Sequence, residues 1–545
     1  MSPWPAAKPA LAAPPFELFS WRTLLLGAQF LALLVALEIN RHAEQMYPVA
    51  WGAIPVALAV ALARARYGAA ERPAVRLWQL IGTLSAVYSL AHYPLVPPVR
   101  ADFVGIGLYA LLILAWVASL AGGVLCYRVP SLAVLSPAFL LWGSSFAPSI
   151  TGLRVTTMLD IAPLGEVSTC IAIGLLIRQL SAGVERRLWR REIDTGYAQL
   201  LVLVAIAIHL ANYFSSFLMK IELPGPPAAW LTENNPVYIF LVALDDGHIF
   251  FQGYAGVVSW LIRFVNAVHL VSNFGVLAIQ AAAILAFFMP KRAFVILLLL
   301  FDAMHLSIIV LVGANFWPWI ILNVIITIVV AMPDYDRPPM ALRLAATLFI
   351  LFASHFVANV AWLGWYDSGA NNKLYFQAVD DHGRRYDVPT NFFTFYSYAI
   401  SHMDYGSPDP ATAFVTNEPN GGADNYQLFQ AGRHCDVPVL QRGGTAKGFD
   451  PGLPAFVRSY HALALKIIGT FGTFPYDLYP HHFYIPFSLS KDFDALDKRR
   501  IVAYIYRRES VCMSFDDSGV HRKLVSTGEY RIDLDGADGG GQSGH

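Results

Sequence analysis

Charge is what this chain has least of. Only 14% of its 545 residues are charged, and 38 acids balance 38 bases to a net charge of zero. Such a chain carries no electrostatic footprint for nucleic acid, so no nucleic-acid partner is expected. Cysteine is scarce too, with 4 in all, and their spacing fits no zinc site. Cys126 and Cys170 fall in apolar runs, Cys435 and Cys512 in the polar C-terminal part. No His-Glu-x-x-His helix, no Gly-rich phosphate loop after a strand and no G-x-S-x-G elbow occurs. Asp302 with His305, or the adjacent His481 and His482, supplies two metal ligands where a site needs three or four, so no metal is expected. The first 21 residues lack the order of a cleaved signal peptide, and the first apolar run is expected to stay as an anchor.

Apolar sequence takes the place of charge. The chain is 56% hydrophobic, with a mean hydropathy of +0.49. Runs of about 17–25 apolar residues recur, the length a helix needs to cross a bilayer. About eleven spans are expected, at 22–40, 48–64, 77–94, 103–126, 130–147, 158–180, 197–219, 264–289, 293–312, 315–332 and 343–365. The fold class is then an all-α polytopic membrane bundle with a C-terminal β-rich α+β domain. Residues 1–21 form the N-terminal segment, 22–365 the transmembrane part, 366–534 the second domain and 535–545 a Gly-rich disordered tail. Val237 to Leu244 is too short to span and is expected at the membrane interface.

The arginines give an orientation. Arg64, Arg66, Arg72 and Arg76 follow the second span; Arg178, Arg186, Arg187, Arg190 and Arg191 the sixth; Lys291 and Arg292 the eighth; Arg337 and Arg343 precede the last. With eleven spans all four groups fall on one side, and basic loops stay cytoplasmic. The N-terminus is then cytoplasmic and the C-terminal domain extracytoplasmic. In that domain Asp367 to Asn372, Asn417 to Gly422 and Gly443-Gly444 read as turns. Leu374 to Val379 and Ile501 to Tyr506 read as strands, and Pro454 to Gly469 has helical spacing. An oxidising compartment permits a Cys435–Cys512 disulfide; whether the sulfurs meet, the sequence leaves open.

Ionisable groups within apolar spans are costly and mark function by default. His209, Tyr213, Ser216 and Lys220, spaced four, three and four apart, share one helical face. Asn266, His269, Asn273 and Gln280 form a second stripe, Asp302 and His305 a third, His355 and Asn359 a fourth. Glu38, Asp160 and Glu166 add carboxylates. The plainer reading makes Lys220 a lysine snorkelling to the interface and each Asn, Gln or His a hydrogen-bonding tie between helices. The set as a whole favours a polar cavity, because ties alone do not call for so many acids and histidines.

Tyr213-Phe-Ser-Ser-Phe-Leu-Met-Lys220-Ile-Glu-Leu, with Trp230 ten residues beyond the lysine, resembles vitamin K-dependent γ-carboxylase and its bacterial relatives, the horizontally transferred transmembrane (HTTM) family. Phe301-Asp-Ala-Met-His305, running on to Gly313-Ala-Asn-Phe-Trp-Pro-Trp319, resembles a later helix pair of that family. The likeness covers roughly residues 20–332 in the order of elements. It implies that Lys220 is the base that deprotonates a reduced naphthoquinone or other lipid quinone. The quinone's reaction with oxygen then drives removal of a glutamate γ-proton and carboxylation of a peptide or protein acceptor, a lyase activity. A basic lysine has to be a neutral amine, which apolar neighbours such as Phe214, Phe217, Leu218 and Met219 favour. Tyr213 and Trp230 would border the quinone, with His269, Asn273, Asp302 and His305 as further pocket residues. The family's Asn-His stretch before the lysine helix has no match here, and His209 is the substitute proton relay. Two other classes stand beside this one: a non-enzymatic membrane subunit or maturation factor whose second domain binds a partner protein, and a small-molecule transporter.

Overall fold

The computed structural model describes residues 20–46, 50–92, 103–151, 162–190, 192–333, 335, 337–361, 363–389, 391–393, 397, 400, 405–415, 422–442, 448–474 and 491–535. The expected N-terminal segment and Gly-rich tail lie almost wholly outside these residues, as do Asp160 and His481-His482.

Helices fill the first part of the chain: α1 (Trp21–Met46), α2 (Ala50–Leu62), α3 (Arg72–His92), α4 (Phe103–Leu125), α5 (Leu135–Thr151), α6 (Ala162–Trp189), α7 (Tyr197–Glu222), α8 (Ala229–Glu233), α9 (Val237–Asp246), α10 (Ala255–Ala281), α11 (Lys291–Val312), α12 (Trp317–Ala331), α13 (Met340–Leu348) and α14 (Ser354–Val357). Six helical stretches are long and apolar enough to cross a membrane: Trp21–Glu44, Ala162–Trp189, Tyr197–Glu222, Ala255–Phe288, Lys291–Val312 and Met340–Val357. Each of the eleven expected stretches is helical over most of its described length, but six rather than eleven meet that standard among the described residues. The differences have local causes. α2 is short and carries Pro55, α3 opens on Arg72 and Arg76, and α12 runs only from Trp317 to Ala331. Leu31, Val60, Leu114, Val271, Phe274 and Phe352 are exposed on the outer faces, as a bundle bathed in lipid requires.

α7 is the axis of the bundle. From Tyr197 to Ser216 every residue but Gln199 is buried, so a helix that would read as a lipid-facing span is enclosed by its neighbours. The four basic loops gather at the opposite end of the bundle from Lys220. Arg178 pairs with Glu71 at 3.6 Å, Gln179 donates to the Arg66 carbonyl, Lys291 donates to that of Tyr335, and Gly196 abuts Leu342.

The C-terminal part holds a two-stranded pair, β1 (Tyr366–Asp367) with β4 (Gly422–Ala423), and a four-stranded antiparallel sheet. The sheet comprises β2 (Ala370–Asp380), β3 (Arg385–Val388), β5 (Ile501–Asp516) and β6 (Gly519–Asp533), in the order β3-β2-β5-β6. Aromatic and β-branched residues at alternating positions let Phe376, Tyr504 and Tyr506 face the helix Leu453–Phe471 through Phe456 and Tyr460. Asn371 and Asn372, expected in a turn, lie inside β2 instead. The Asn372 side chain satisfies the backbone of Phe414 at both N and O, and Asn371 donates to Asp246. Cys435 and Cys512 are bonded, with Cα atoms 5.8 Å apart. α9, expected at the membrane interface, lies inside the protein. Phe240 and Leu241 pack among Val258 and Ile262 of α10, Val312 of α11 and Met513 of β5.

Candidate functional site

Two polar clusters lie on the same face of α7, and they are built differently. The deeper one centres on Asn323, the one amide in an otherwise apolar α12. Asn323 Nδ2 donates to Tyr213 Oη at 2.9 Å and to Asp302 Oδ1 at 2.7 Å. Its Oδ1 faces His209 Nε2 at 2.8 Å. An amide oxygen only accepts, so His209 carries its proton on Nε2 and its Nδ1 is a bare lone pair. That Nδ1 has no partner among the described residues, and neither does Nδ1 of His305. Aromatic rings close around them. Tyr213 stacks on Phe301 at 3.6 Å, His305 stacks on Phe316 at 5.2 Å, and Trp319 meets His209, Tyr213 and His305 edge-on or tilted at 5.4–5.8 Å. Buried nitrogens left without partners in such a shell cost free energy that packing alone gives no reason to spend.

The second cluster lies seven residues on, about 10 Å along the helix. Here the chain leaving α14 runs extended into β1, and every second residue is held by a side chain of the bundle or of the segment after α7. Asn212 Oδ1 accepts from Ala361 N at 2.7 Å. Lys220 Nζ donates to Leu363 O at 2.7 Å, and also to Ser216 O at 3.2 Å. Trp230 Nε1 donates to Trp365 O at 2.8 Å. Asn234 receives Asp367 N at 2.6 Å and donates to Asp367 Oδ2 at 2.8 Å. The period of two is that of an extended chain. Gly364 makes the close approach feasible, since a Cβ there would sit 2.5 Å from Met219. Lys220 also lies 5.5 Å from the Trp230 ring centre, a cation–π distance. Its amine has one tetrahedral position not used by the two carbonyls.

The C-terminal domain roofs this seam. Tyr426 and Gln430 donate to Glu233, and Tyr366 stacks on Phe429 at 4.6 Å. The disulfide fastens the helix Tyr426–His434 to β5 at its C-cap, Cys435. Burial pushes the Asp367 carboxyl up to about 6, against the pull of Asn234, Trp365 and the Lys220 charge. Burial likewise lifts Asp246 to about 7, opposed by Lys373. Below it Gly313, at φ +73, ends α11; a Cβ there would stand 2.1 Å from the His248 carbonyl oxygen.

The residues singled out in the sequence therefore divide. His209, Tyr213, Asp302 and His305 meet in the deep cluster. Lys220, Trp230 and Asn273 belong to the seam, where Asn273 Nδ2 donates to Leu231 O at 3.1 Å and Asn234 O at 2.8 Å. His269 joins neither through any described contact, its Nδ1 lying 2.6 Å from the Asn266 carbonyl of its own helix. The α10 stripe does not line one cavity: Asn266 accepts from Asn235 and Gln280 lies against Met304. Among the described residues no group of three His, Cys, Asp or Glu side chains forms a metal site. Sequence reasoning missed Asn323, though a lone amide in an apolar helix is a visible signal. It also missed Asn212, whose partners are backbone atoms, and the Asn234–Asp367 pair, which joins residues 133 apart in sequence; neither leaves a pattern. Compared with family models, curated proteins and solved structures, the chain finds no match.

Proposed function

We propose that this chain is an integral membrane protein of the HTTM type, related to vitamin K-dependent γ-carboxylase. In this reading it oxygenates a reduced lipid quinone, with Lys220 as base, and carboxylates or otherwise modifies a peptide or protein acceptor. All eleven helical stretches then cross the bilayer. The basic end is cytoplasmic, and Lys220 with the C-terminal domain faces the extracytoplasmic side. The observation that carries the reading is a pair of buried imidazoles, His209 of α7 and His305 of α11, which share Tyr213 and Trp319 as neighbours and whose Nδ1 atoms have no partner among the described residues, deeper in the bundle than a lysine amine. Groups of this kind are retained inside apolar bundles for chemistry.

The residues fit a flat ring bearing hydroxyls. The His209 Nδ1 lone pair accepts from a hydroxyl group, the unpartnered His305 Nδ1 offers a second polar position, Tyr213, Phe301, Phe316 and Trp319 offer flat walls, and Trp230 borders the amine. A reduced naphthoquinone, when bound, supplies the electrons for reaction with oxygen. Lys220 Nζ, as a neutral amine, keeps two N–H donors for the Ser216 and Leu363 carbonyls and turns a lone pair to the substrate proton. His209, its Nε2–H held by Asn323, presents Nδ1 as an acceptor about 16 Å deeper on the same helix, too far to take a proton directly from Lys220. The test is epoxide formation from reduced naphthoquinones, under oxygen, by purified protein in nanodiscs. Wild type is expected to turn over and Lys220→Ala to be inactive while folded. Absence of turnover across several quinones overturns the reading.

One observation favours a second reading. Lys220 is one of four side chains in register on the 361–367 chain, as a purely structural tie would be. On that reading the protein is a non-enzymatic subunit or maturation factor, and its C-terminal domain retains a partner protein even in Lys220→Ala.

A further inference from the structure

At the basic end of the bundle a shallow, open cleft is lined by Lys291, Arg337 and Arg343 together with Leu203, Phe287 and Phe294. Lys291 donates to the Tyr335 carbonyl and lies 5.3 Å from its ring centre. Arg337 Nη2 donates to Phe288 O at 2.6 Å. Arg343 has a buried Nε without any partner. Among the described residues none of the three makes an ion pair, so two N–H donors of the ammonium and most of both guanidinium forks remain open. Asp334 and Asp336, the acids of the same loop, lie outside the described residues. Lys291 and Arg337 are exposed and Arg343 is part-buried, so three like charges gather at the cleft and repel one another. An anion relieves that repulsion.

We infer that this cleft is a binding site for the phosphate headgroup of an anionic phospholipid. The cations take the phosphate oxygens, Arg343 through its free Nε–H and the guanidinium edge beside it. The apolar half accounts for the choice of a lipid over free phosphate. Leu203, Phe287 and Phe294 are buried at the floor of the cleft, and α10, α11 and α13 expose apolar faces beyond, Leu299 and Leu344 among them, along which the acyl chains would run. Basic pockets between helices at a membrane surface recognise headgroups by this combination of charge and adjacent hydrocarbon. The inference needs a bilayer but not the quinone chemistry, and its test contains no quinone.

The experiment is native mass spectrometry of the full chain released from nanodiscs of equal phosphatidylglycerol and phosphatidylcholine, beside Arg337→Gln/Arg343→Gln and Lys291→Gln. Wild type is expected to retain phosphatidylglycerol in preference to phosphatidylcholine. The double variant should lose that preference on the order of ten-fold, and Lys291→Gln should lose less. Because wild type is itself an arm, a double variant that fails to fold leaves the comparison of the two lipids, and Lys291→Gln, to decide. No preference in wild type, or an undiminished preference in folded variants, overturns the site. If inorganic phosphate alone raises the Tm in pure phosphatidylcholine and abolishes the lipid preference, the cleft belongs to a soluble anion and the assignment to lipid falls.

Discussion

The two clusters on α7 satisfy their polar groups in opposite ways. In the deep cluster side chain meets side chain: Asn323 joins His209, Tyr213 and Asp302 across three helices. At the seam side chain meets backbone, with Asn212, Lys220, Trp230 and Asn234 holding alternate residues of one extended segment. The first arrangement leaves ring nitrogens unpartnered, whereas the second spends its polar groups on fastening a domain. The deep cluster carries polar capacity that stability does not use, while the seam is engaged in holding. Lys220 belongs to the seam, yet under the proposed function it is the base.

The largest expected effect removes the roof. The Cys435–Cys512 bond spans 77 residues, and Cys435→Ser should destabilise the C-terminal domain by about 4 kcal/mol, read from chemical denaturation of that domain. Next comes the deep cluster. Asn323→Leu strands Asp302, Tyr213 and His209 at once and should cost roughly 2–4 kcal/mol, seen as a lower Tm in detergent with the C-terminal domain unaffected. Equal loss from Asn323→Leu and from Asn212→Ala would erase the distinction between the two clusters.

A smaller effect is a slope rather than a step. Asp246 and Asp367 hold their protons up to about 7 and about 6 when folded, from an ordinary 3.8. Between about pH 4 and 7 the folded state binds more protons than the unfolded one, so stability falls as pH rises through that window and levels off above it. Asp246→Asn with Asp367→Asn should flatten that part of the Tm–pH curve. The smallest effect on stability belongs to Lys220→Met, about 1 kcal/mol, since two part-buried hydrogen bonds and the contact with the Trp230 ring go. In the proposed function it has the largest effect on turnover.

That contrast also governs what could be read in advance. Helical stretches, the shared face of His209 and Tyr213, that of Asp302 and His305, and the strands around Phe376 and Tyr504 follow from periodicity, which the sequence displays directly. Asn323 was visible as a lone amide. The seam was not legible, because Leu363 O and Trp365 O are backbone atoms that any residue offers, and Gly364 matters only once Met219 is known to lie against it. Nor does periodicity tell that the His269 ring nitrogen lies against a carbonyl of its own helix.

The most direct test of Lys220 as base is chemical rescue of epoxide formation in Lys220→Ala by small primary amines. If the amine is the base, turnover returns in proportion to free, unprotonated amine while the Tm does not move. If no amine restores turnover, and Trp230→Phe is as inactive as Lys220→Ala, the lysine only holds the 361–367 segment and the proposed chemistry at Lys220 is wrong.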